Sequence, residues 1–429
     1  MTQAESVPSL DSIPPVRRKG RRHLGAGAVA VATLVSNVLG YALFLVLNRE
    51  LTSDDLGAVA SLLNLITIAS VAALSTQLVS AWRVARQRVE AEATALRTGF
   101  LVGLIVTAVV IVLTPALVPL LHLDGLTPVL LVATLMVPTC VIAAVLGVLQ
   151  GAEKFVALAA LYVVVGSSRA VGGAAAAWLG WGVSGVMALT SVAAWLVLPA
   201  ALWHVRDQLR RSLQPALPTQ VGRVLAGVAG TSALLVASAI DTPVARHVLS
   251  GDDSGDYAVV SVFAKAAFWG PAFLATVLYA RMSRARAERA FLLALSGTGV
   301  IVAMGIVVSS VLDASLIRIV GGAGYTHLAG QVPLFTALGG AWALIQVLVF
   351  WGAARGRHAV GYLVWTGVGI ATLVVLLAGH ESVASIAATY LVAAALVLLI
   401  GVVLGFPRRS SRTRDLSEPR RTTSAPLPR

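Results

Sequence analysis

The stretch NRELTSDDLGAVASL at positions 48–62 returns in altered form as ARHVLSGDDSGDYAVVS at positions 245–261. Both stretches place an arginine, a leucine, two adjacent aspartates and a glycine between long apolar segments. Sliding the chain on itself by 198 positions brings these residues into register. The aligned pairs are Leu51 with Leu249, Asp54 with Asp252, Asp55 with Asp253 and Gly57 with Gly255. We infer that the two stretches begin two copies of one structural unit.

The register of the repeat extends through a whole apolar segment. Over positions 51–90 it gives 11 identities in 40 without a gap. The matching segments end in charged residues, and bias toward apolar residues cannot place charges in register. The match therefore indicates an internal duplication. The terminal matches are Arg83, Arg86, Arg88 and Glu90 with Arg281, Arg284, Arg286 and Glu288.

The composition is that of a membrane protein. Of the 429 residues, 58% are hydrophobic and 12% are charged, and the mean hydropathy is +0.87. A soluble domain carries about a quarter charged residues, and almost no segment of this chain has the polar face of a surface helix. Apolar runs of about 20 residues or more recur along the chain, which predicts a polytopic membrane protein rather than a large soluble helical core.

Uncharged runs between charge clusters predict twelve membrane-spanning helices. Each run is long enough to cross a hydrocarbon core of about 30 Å at about 1.5 Å per residue. The first run is too long for a cleaved signal peptide and lacks a cleavage site after it, so we expect it to be retained. The predicted spans are 24–48, 56–82, 98–121, 126–150, 155–179, 183–204, 224–247, 257–280, 290–312, 328–352, 359–379 and 382–405.

The basic residues predict the orientation of these spans. Twenty-seven of the 32 lysines and arginines fall on the side of the N-terminus, three fall on the opposite side and two lie within spans. The positive-inside rule therefore predicts that both termini are cytoplasmic. We call the side of the 48–62 and 245–261 loops the outer side. The basic clusters lack interleaved aromatic residues, so membrane topology explains the net charge of +13 better than nucleic-acid binding does.

Six spans separate the two copies of the repeat, so both copies have the same orientation. The predicted fold is an all-α polytopic membrane protein with twelve transmembrane helices in two parallel six-helix lobes. The polar tails are rich in Arg, Ser and Pro, which predicts disorder and attraction to anionic lipids. The predicted boundaries are a basic tail at 1–23, an N-terminal lobe at 24–204, a cytoplasmic linker at 205–223, a C-terminal lobe at 224–405 and a second basic tail at 406–429.

The duplication predicts a transporter that works by alternating access, because related halves of secondary transporters meet at the substrate site and rock around it. A duplication that serves assembly alone, in a non-transporting membrane scaffold, is the alternative. No Walker A, HExxH or phosphate-binding glycine motif occurs in the sequence. The single cysteine, Cys140, excludes a disulfide framework and a multi-cysteine metal site. We therefore expect neither an enzyme nor a cofactor or bound metal.

Several segments resemble one family in order along the chain. NRELTSDDLGAVASLLNLITI at 48–68 and STQLVSAWRVAR at 75–86 resemble the start of bacterial polysaccharide flippases of the Wzx type. GVLQGAEKFVAL at 147–158 resembles the turn between helices 4 and 5 of that family. SAIDTPVARHVLSGDDSGDYAVVSVFAKA at 238–266, followed by PAFLATVLYARMSRA at 271–285, resembles its helix 7–8 hairpin. These flippases belong to the multidrug/oligosaccharidyl-lipid/polysaccharide exporter (MOP) superfamily.

The resemblance implies a V-shaped, MATE-like bundle of two lobes in the bacterial inner membrane. It implies translocation of an isoprenoid pyrophosphate-linked oligosaccharide from the cytoplasmic to the outer leaflet, with a polysaccharide polymerase and glycosyltransferases as candidate partners. The chain also distantly resembles the MurJ peptidoglycan-precursor flippases but lacks their additional C-terminal helix pair, which makes lipid II a less expected cargo. A small-molecule or drug antiporter of the same superfamily is the alternative function.

Three charged residues lie deep inside predicted spans, where a charge is costly unless it faces protein or water. Arg169 lies near the midplane of the fifth span, and its rigid fork of donors suits a pyrophosphate or, alternatively, helix-end carbonyls or another helix. Lys265 and Asp241 each lie about eight residues from the outer face, roughly 12 Å deep, on adjacent helices. They are expected to form a structural ion pair or a coupling site, in which Asp241 binds a proton or cation and frees Lys265 for substrate.

Four neutral polar residues within spans complete the predicted substrate site. They are candidates for contact with sugar hydroxyls or, alternatively, for hydrogen bonds between helices. These residues are Asn37, Asn64, Gln77 and Gln346.

Two arginines end the first and seventh spans at the outer mouth, as repeat-related positions. Arg49 and Arg246 are candidates for an outer gate that closes against the Asp54/Asp55 and Asp252/Asp253 pairs, or for anchors at lipid headgroups. The sequence leaves these two alternatives open.

Overall fold

The structure, a computed structural model, describes residues 19–85, 91–206, 232–271, 274, 287–355, 359–378 and 382–405. Over these ranges the chain forms helices joined by short turns, without a β-strand. Several segments discussed above lie outside the described residues. They are the tails up to residue 18 and beyond residue 405, most of the predicted linker, and most of the matching charged residues that end the two repeats.

Seven helices form the described N-terminal lobe. They are α1 (Lys19–Glu50), α2 (Ser53–Ala69), α3 (Val71–Ala85), α4 (Ala91–Leu120), α5 (Thr127–Gly151), α6 (Phe155–Trp178) and α7 (Gly182–Trp203). The C-terminal lobe contains seven more described helices and a 3-10 helix. They are α8 (Asp241–Val248), α9 (Gly251–Trp269), α10 (Ala287–Val311), α11 (Asp313–Val320), the 3-10 helix (Ala323–Gln331), α12 (Val332–Ala354), α13 (Ala359–Ala378) and α14 (Val383–Gly405).

Ten helical stretches among the described residues are long and apolar enough to cross a membrane. They coincide with ten of the twelve predicted spans. The other two predicted spans, 224–247 and 257–280, include residues that the structure does not describe. The first of them is helical at 232–237 and in α8, and the second is helical in α9. The prediction of an all-α polytopic membrane protein is confirmed.

Two spans are broken along their length, which the sequence does not predict. The second span breaks at Ser70, whose hydroxyl donates to the carbonyl of Ile66 at 2.6 Å. Serine hydroxyls compete for backbone carbonyls in this way and favour such breaks. The seventh span breaks at residues 238–240, and α8 begins at Asp241. Pro243 lies in the first turn of α8, where a backbone N–H has no partner within the helix, so its missing N–H removes no hydrogen bond.

The reversal between α6 and α7 depends on two glycines in the left-handed region of backbone conformation. Gly180 has a φ of 70° and Gly182 has a φ of 61°. A Cβ atom disfavours such φ values, so glycine permits the tight turn that separates the fifth and sixth spans.

Each lobe is built around its fourth span. α5 packs against α3, α4 and α7, and α12 packs against α9, α10 and α14. These two helices bury most of their length, whereas α1, α4 and α13 expose large apolar side chains at the rim. An apolar rim around a buried centre is the arrangement expected in a hydrocarbon environment.

The repeated stretches encode two equivalent helix starts, at α2 and α9. Thr52 Oγ1 accepts a hydrogen bond from the N–H of Asp55 at 3.2 Å. Ser250 Oγ, at the equivalent position of the second repeat, accepts one from the N–H of Asp253 at 3.4 Å. Such side-chain caps satisfy backbone donors that have no partner within the helix, and they stabilise its N-terminus.

α2 and α9 cross closely near these N-termini, and the crossing joins the two lobes. A Cβ atom on Gly57 would overlap with Ser254, and one on Gly255 would overlap with Ser53. Across the crossing, Ser53 Oγ donates to the carbonyl of Asp252 at 3.2 Å. Small residues let helix backbones approach in this way within membranes. The repeated glycine therefore serves the contact between the repeats.

Replacing Gly255 by valine is expected to force α2 and α9 apart, because the new side chain would overlap with the backbone of Ser53. Overpacking of this kind costs about 1–3 kcal/mol, so the melting temperature of the purified protein in detergent should fall. Gly299→Val on α10 is the matched control, since no atom lies within 4 Å of its Cβ position. Equal melting temperatures for the two variants would contradict the close crossing.

Candidate functional site

A cavity of about 450 Å³ lies between the lobes, further along α2 and α9 than their crossing. α1, α2, α6 and α7 line it from the N-terminal lobe, and α9 lines it from the C-terminal lobe. Packing between the described helices of the two lobes is concentrated where α2 meets α8 and α9, toward the outer side. This central cavity is therefore closed toward the outer side.

Arg169 lines the central cavity from α6. Small residues hold α6 against α1, since a Cβ on Gly166 would overlap with Ser36, and Ser36 Oγ donates to the carbonyl of Tyr162 at 3.0 Å. The Arg169 guanidinium forms no hydrogen bond or ion pair with any described residue. Arg169 is half-buried, so its N–H groups are available to an acceptor that enters the cavity.

Lys265 lines the same cavity from α9, in the opposite lobe. Its Nζ donates to Ser261 Oγ at 2.9 Å and to Thr242 Oγ1 at 3.3 Å. Asp241 accepts instead from the Tyr257 hydroxyl at 3.0 Å and from Thr242 Oγ1 at 3.5 Å. Lys265 and Asp241 therefore do not form a direct ion pair. The hydroxyl of Thr242 connects the two charges.

A second, small cavity of about 10 Å³ adjoins Asp241. Ser238 and Lys265 line both cavities, and Tyr390 of α14 lines the small one. A volume of this size holds about one water molecule. Ser238 and Lys265 thus lie between Asp241 and the central cavity.

The central cavity is positively charged. Arg169 and Lys265 are the charged residues of its described lining, which contains no acidic residue. The two cations come from different lobes, so the charge belongs to the gap between the lobes rather than to either one alone. A charge in an apolar surrounding is costly without a counter-charge, and the cavity therefore favours an anion.

Two of the four predicted neutral residues line the cavity. Asn37 lies on α1 and is exposed to it, and Asn64 lies on α2. Asn64 Nδ2 donates to the carbonyl of Ala60 at 2.7 Å within its own helix. Both amides lie within reach of a ligand in the cavity.

The structure does not bring Gln77 and Gln346 to the central cavity. Gln77 on α3 donates to Gln150 Oε1 at 3.0 Å and to the Tyr162 hydroxyl at 2.7 Å, which joins α3, α5 and α6. Gln346 is buried on α12, inside the C-terminal lobe. Gln77 thus makes hydrogen bonds between helices, the second alternative that the sequence left open, whereas Gln346 Oε1 is buried without a partner among the described residues.

Aromatic side chains of the cavity were missed by the sequence reasoning. Tyr41 and Phe44 of α1, Tyr162 of α6 and Trp269 at the end of α9 line it. An aromatic residue does not stand out by polarity from the apolar residues of a span. Hydropathy therefore does not distinguish an aromatic residue that faces a cavity from an aromatic residue that faces lipid. The Tyr162 hydroxyl is held in place by Gln77.

The two candidate gate arginines differ at the outer mouth. Arg246 is 2% exposed and pairs with Asp54 of the opposite lobe. Arg49 is exposed and forms no hydrogen bond or ion pair with a described residue. At the offset of 198 the repeat partner of Arg246 is Asn48 rather than Arg49. The predicted repeat equivalence of Arg49 and Arg246 is therefore wrong by one residue.

No family model and no curated protein sequence matches this chain. The described residues contain no group of three or more His, Cys, Asp or Glu side chains arranged to hold a metal ion. Similarity to known proteins therefore rests on the fold.

Solved structures of transporters share the fold. An inward-facing multidrug resistance MATE family transporter of the MOP superfamily aligns with a TM-score of 0.67 over 87% of this chain and 98% of its own, at 14% identity. The lipid II flippase MurJ, in an inward closed conformation, aligns with a TM-score of 0.67 over 88% of this chain and 87% of its own, at 13% identity. A MOP superfamily transporter from Pyrococcus furiosus aligns with a TM-score of 0.53 over 90% and 96%, at 13% identity.

These alignments confirm the predicted MATE-like fold. At 13–14% identity they show the fold alone. The finer resemblance to Wzx-type flippases stays a prediction.

A charged, water-soluble thiol reagent is expected to reach the central cavity but not the interior of a lobe. In a Cys140→Ala background, Asn37→Cys should react with methanethiosulfonate ethylsulfonate, because Asn37 is exposed to the cavity. Gln346→Cys is the control and should stay unmodified, since Gln346 is buried between helices. Mass spectrometry of the intact protein measures both. Modification of Gln346→Cys, or none of Asn37→Cys, would contradict the placement of the cavity.

Proposed function

We propose that this protein is an inner-membrane flippase of the Wzx type that moves an isoprenoid pyrophosphate-linked oligosaccharide to the outer leaflet by alternating access. The observation that supports the proposal is the pair of cations, Arg169 and Lys265, which face one cavity from opposite lobes. A pyrophosphate carries several negative charges and many acceptor oxygens, so it is able to bind both groups at once. The ligand would then supply the counter-charge that the protein lacks there.

The cavity also offers groups suited to a saccharide. The side-chain amides of Asn37 and Asn64 hydrogen-bond well to hydroxyls, and the rings of Tyr41, Tyr162 and Trp269 offer flat apolar faces. In this proposal the isoprenoid tail stays in lipid between the lobes while the headgroup occupies the cavity.

Asp241 is the coupling residue in this proposal. It is connected to Lys265 through Thr242 and lies beside a cavity of about one water molecule. A proton or cation bound at Asp241 would remove the negative charge that attracts Lys265. Lys265 would then bind the pyrophosphate more strongly, so loading of Asp241 and loading of substrate would favour each other.

A drug antiporter of the same superfamily is the alternative, and the fold supports it equally, because a MATE multidrug transporter aligns as well as MurJ does. The charge of the cavity favours the flippase. A cationic drug needs an acidic residue beside it, whereas Asp241 adjoins the small cavity behind Lys265. A non-transporting scaffold would need no cations facing each other across the gap between the lobes.

The proposed function also implies a topology, a lipid contact and protein partners. We propose that both termini are cytoplasmic, that the basic tails rest on anionic lipids, and that the partners are the polymerase and glycosyltransferases of the same polysaccharide pathway. Gln77 and Gln346 have a structural role in this account, since they lie outside the cavity.

Reconstitution in liposomes tests the proposal. A labelled undecaprenyl-pyrophosphate-linked saccharide should cross the bilayer with the unmodified protein. Arg169→Ala and Lys265→Ala should each slow it by about tenfold or more, since a hydrogen bond to a charged group contributes about 1.5–3 kcal/mol. Lys154→Ala is the matched control, because Lys154 lies exposed in the turn before α6, away from the cavity.

Two outcomes of this assay contradict the proposal. One is an unchanged rate in both Arg169→Ala and Lys265→Ala, which would remove the assigned site. The other is transport of a lipophilic cation such as tetraphenylphosphonium without transport of the saccharide, which would favour the antiporter.

A further inference from the structure

Asn48 of the N-terminal lobe contacts the end of a helix in the C-terminal lobe. Its Nδ2 donates to the carbonyl of Val320 at 3.0 Å and to that of Gly321 at 2.7 Å. α11 ends at Val320, and the last carbonyls of a helix have no partner within it. Asn48 is 7% exposed, so its side-chain amide is shielded from water at this contact. The side chain of one lobe thus caps a helix of the other.

Arg246 makes the reciprocal contact from the C-terminal lobe. Its Nε donates to the carbonyl of Leu121 at 3.0 Å, and one terminal nitrogen donates to that of His122 at 3.2 Å, just after the end of α4. The other terminal nitrogen binds the carboxylate of Asp54 and donates to Ser254 Oγ at 2.7 Å. A cation at a helix C-terminus also interacts favourably with the helix dipole.

The two contacts are equivalent under the repeat. The offset of 198 relates Asn48 to Arg246, and it relates His122 to Val320. In each case a side chain at the outer end of one lobe's first span donates to the carbonyls that follow the other lobe's third span. The duplication has therefore placed one such contact on either side of the α2–α9 crossing.

We propose that Asn48 and Arg246 are the two halves of an outer latch that keeps the lobes closed on the outer side. Each half joins different lobes, so neither survives a movement that separates the outer ends. The inference rests on the alternating access proposed above, but on no assumption about the substrate. Once the lobes part, the freed donors and carbonyls face water, which compensates for most of the lost hydrogen bonds and keeps the latch reversible.

The halves of the latch differ in strength. Arg246 is charged and binds the carboxylate of Asp54, a hydroxyl and three carbonyls, those of Asp54, Leu121 and His122. Asn48 makes two neutral hydrogen bonds, and its Oδ1 is buried without a partner among the described residues. A buried acceptor without a partner is unfavourable, which offsets part of what its two hydrogen bonds contribute. The Arg246 half is therefore the stronger one.

Distance measurements between spin labels test the latch. Ser184→Cys and Ser315→Cys in a Cys140→Ala background place labels at exposed outer positions of the two lobes. Asn48→Ala should raise the ratio of long to short distances about fivefold, the loss expected for about 1 kcal/mol of hydrogen bonding. Arg246→Ala should raise it by about tenfold or more. The double variant should exceed either single variant, because both halves resist the same movement.

Two further variants keep the test decisive if Arg246→Ala does not fold. Arg246→Lys retains the charge but lacks the fork that reaches several acceptors, so it should shift the ratio in the same direction by a smaller factor. Arg49→Ala removes a cation from the same end of α1 without removing a contact between lobes, and it should leave the ratio unchanged.

An unchanged ratio in Asn48→Ala, or an equal shift in Arg49→Ala, would overturn the latch. These measurements need no substrate. If the latch is absent, the spin-label distances stay unchanged while saccharide transport in liposomes still occurs. If the flippase activity is absent, transport fails while the distances still shift in the latch variants.

Discussion

The close crossing of α2 and α9 determines how the two lobes meet. Repeat-related Gly57 and Gly255 leave no room for a side chain, so the two repeats meet backbone to backbone near their N-termini. This contact closes the outer side and leaves the central cavity further along the same two helices. One duplicated stretch therefore supplies the helix caps, the lobe contact and the outer wall of the site.

The electrostatics of the cavity follow from this arrangement. Arg169 and Lys265 face the gap from different lobes, and hydroxyl groups hold Lys265 while the described residues leave the guanidinium of Arg169 without a partner. Asp241 reaches Lys265 only through Thr242. Positive charge thus remains available in the cavity. An anionic headgroup would fit the closed gap better than a cation would.

The sequence predicts the spans and the repeat well, because crossing a membrane requires about 20 apolar residues and the duplicated charges keep their register. The breaks at Ser70 and at 238–240 leave the hydropathy unchanged, so a hydropathy pattern does not predict them. Whether Asn37 and Gln77 face the cavity depends on the rotation of their helices and on neighbours such as Gln150. A single sequence gives neither the rotation nor the neighbours. The role of Asn48 has a signal in the sequence, since the offset of 198 aligns this residue with Arg246. Pairing Arg49 with Arg246 shifts the alignment by one residue and conceals that signal.

The most direct measurement is a cryo-electron microscopy map of the protein bound to an undecaprenyl-pyrophosphate-linked saccharide. We expect density for the pyrophosphate within hydrogen-bond distance of both Arg169 and Lys265, with the sugar against the aromatic side chains of the cavity and the isoprenoid tail leaving between the lobes. A headgroup bound elsewhere on the protein, with the gap between the two cations empty, would contradict it.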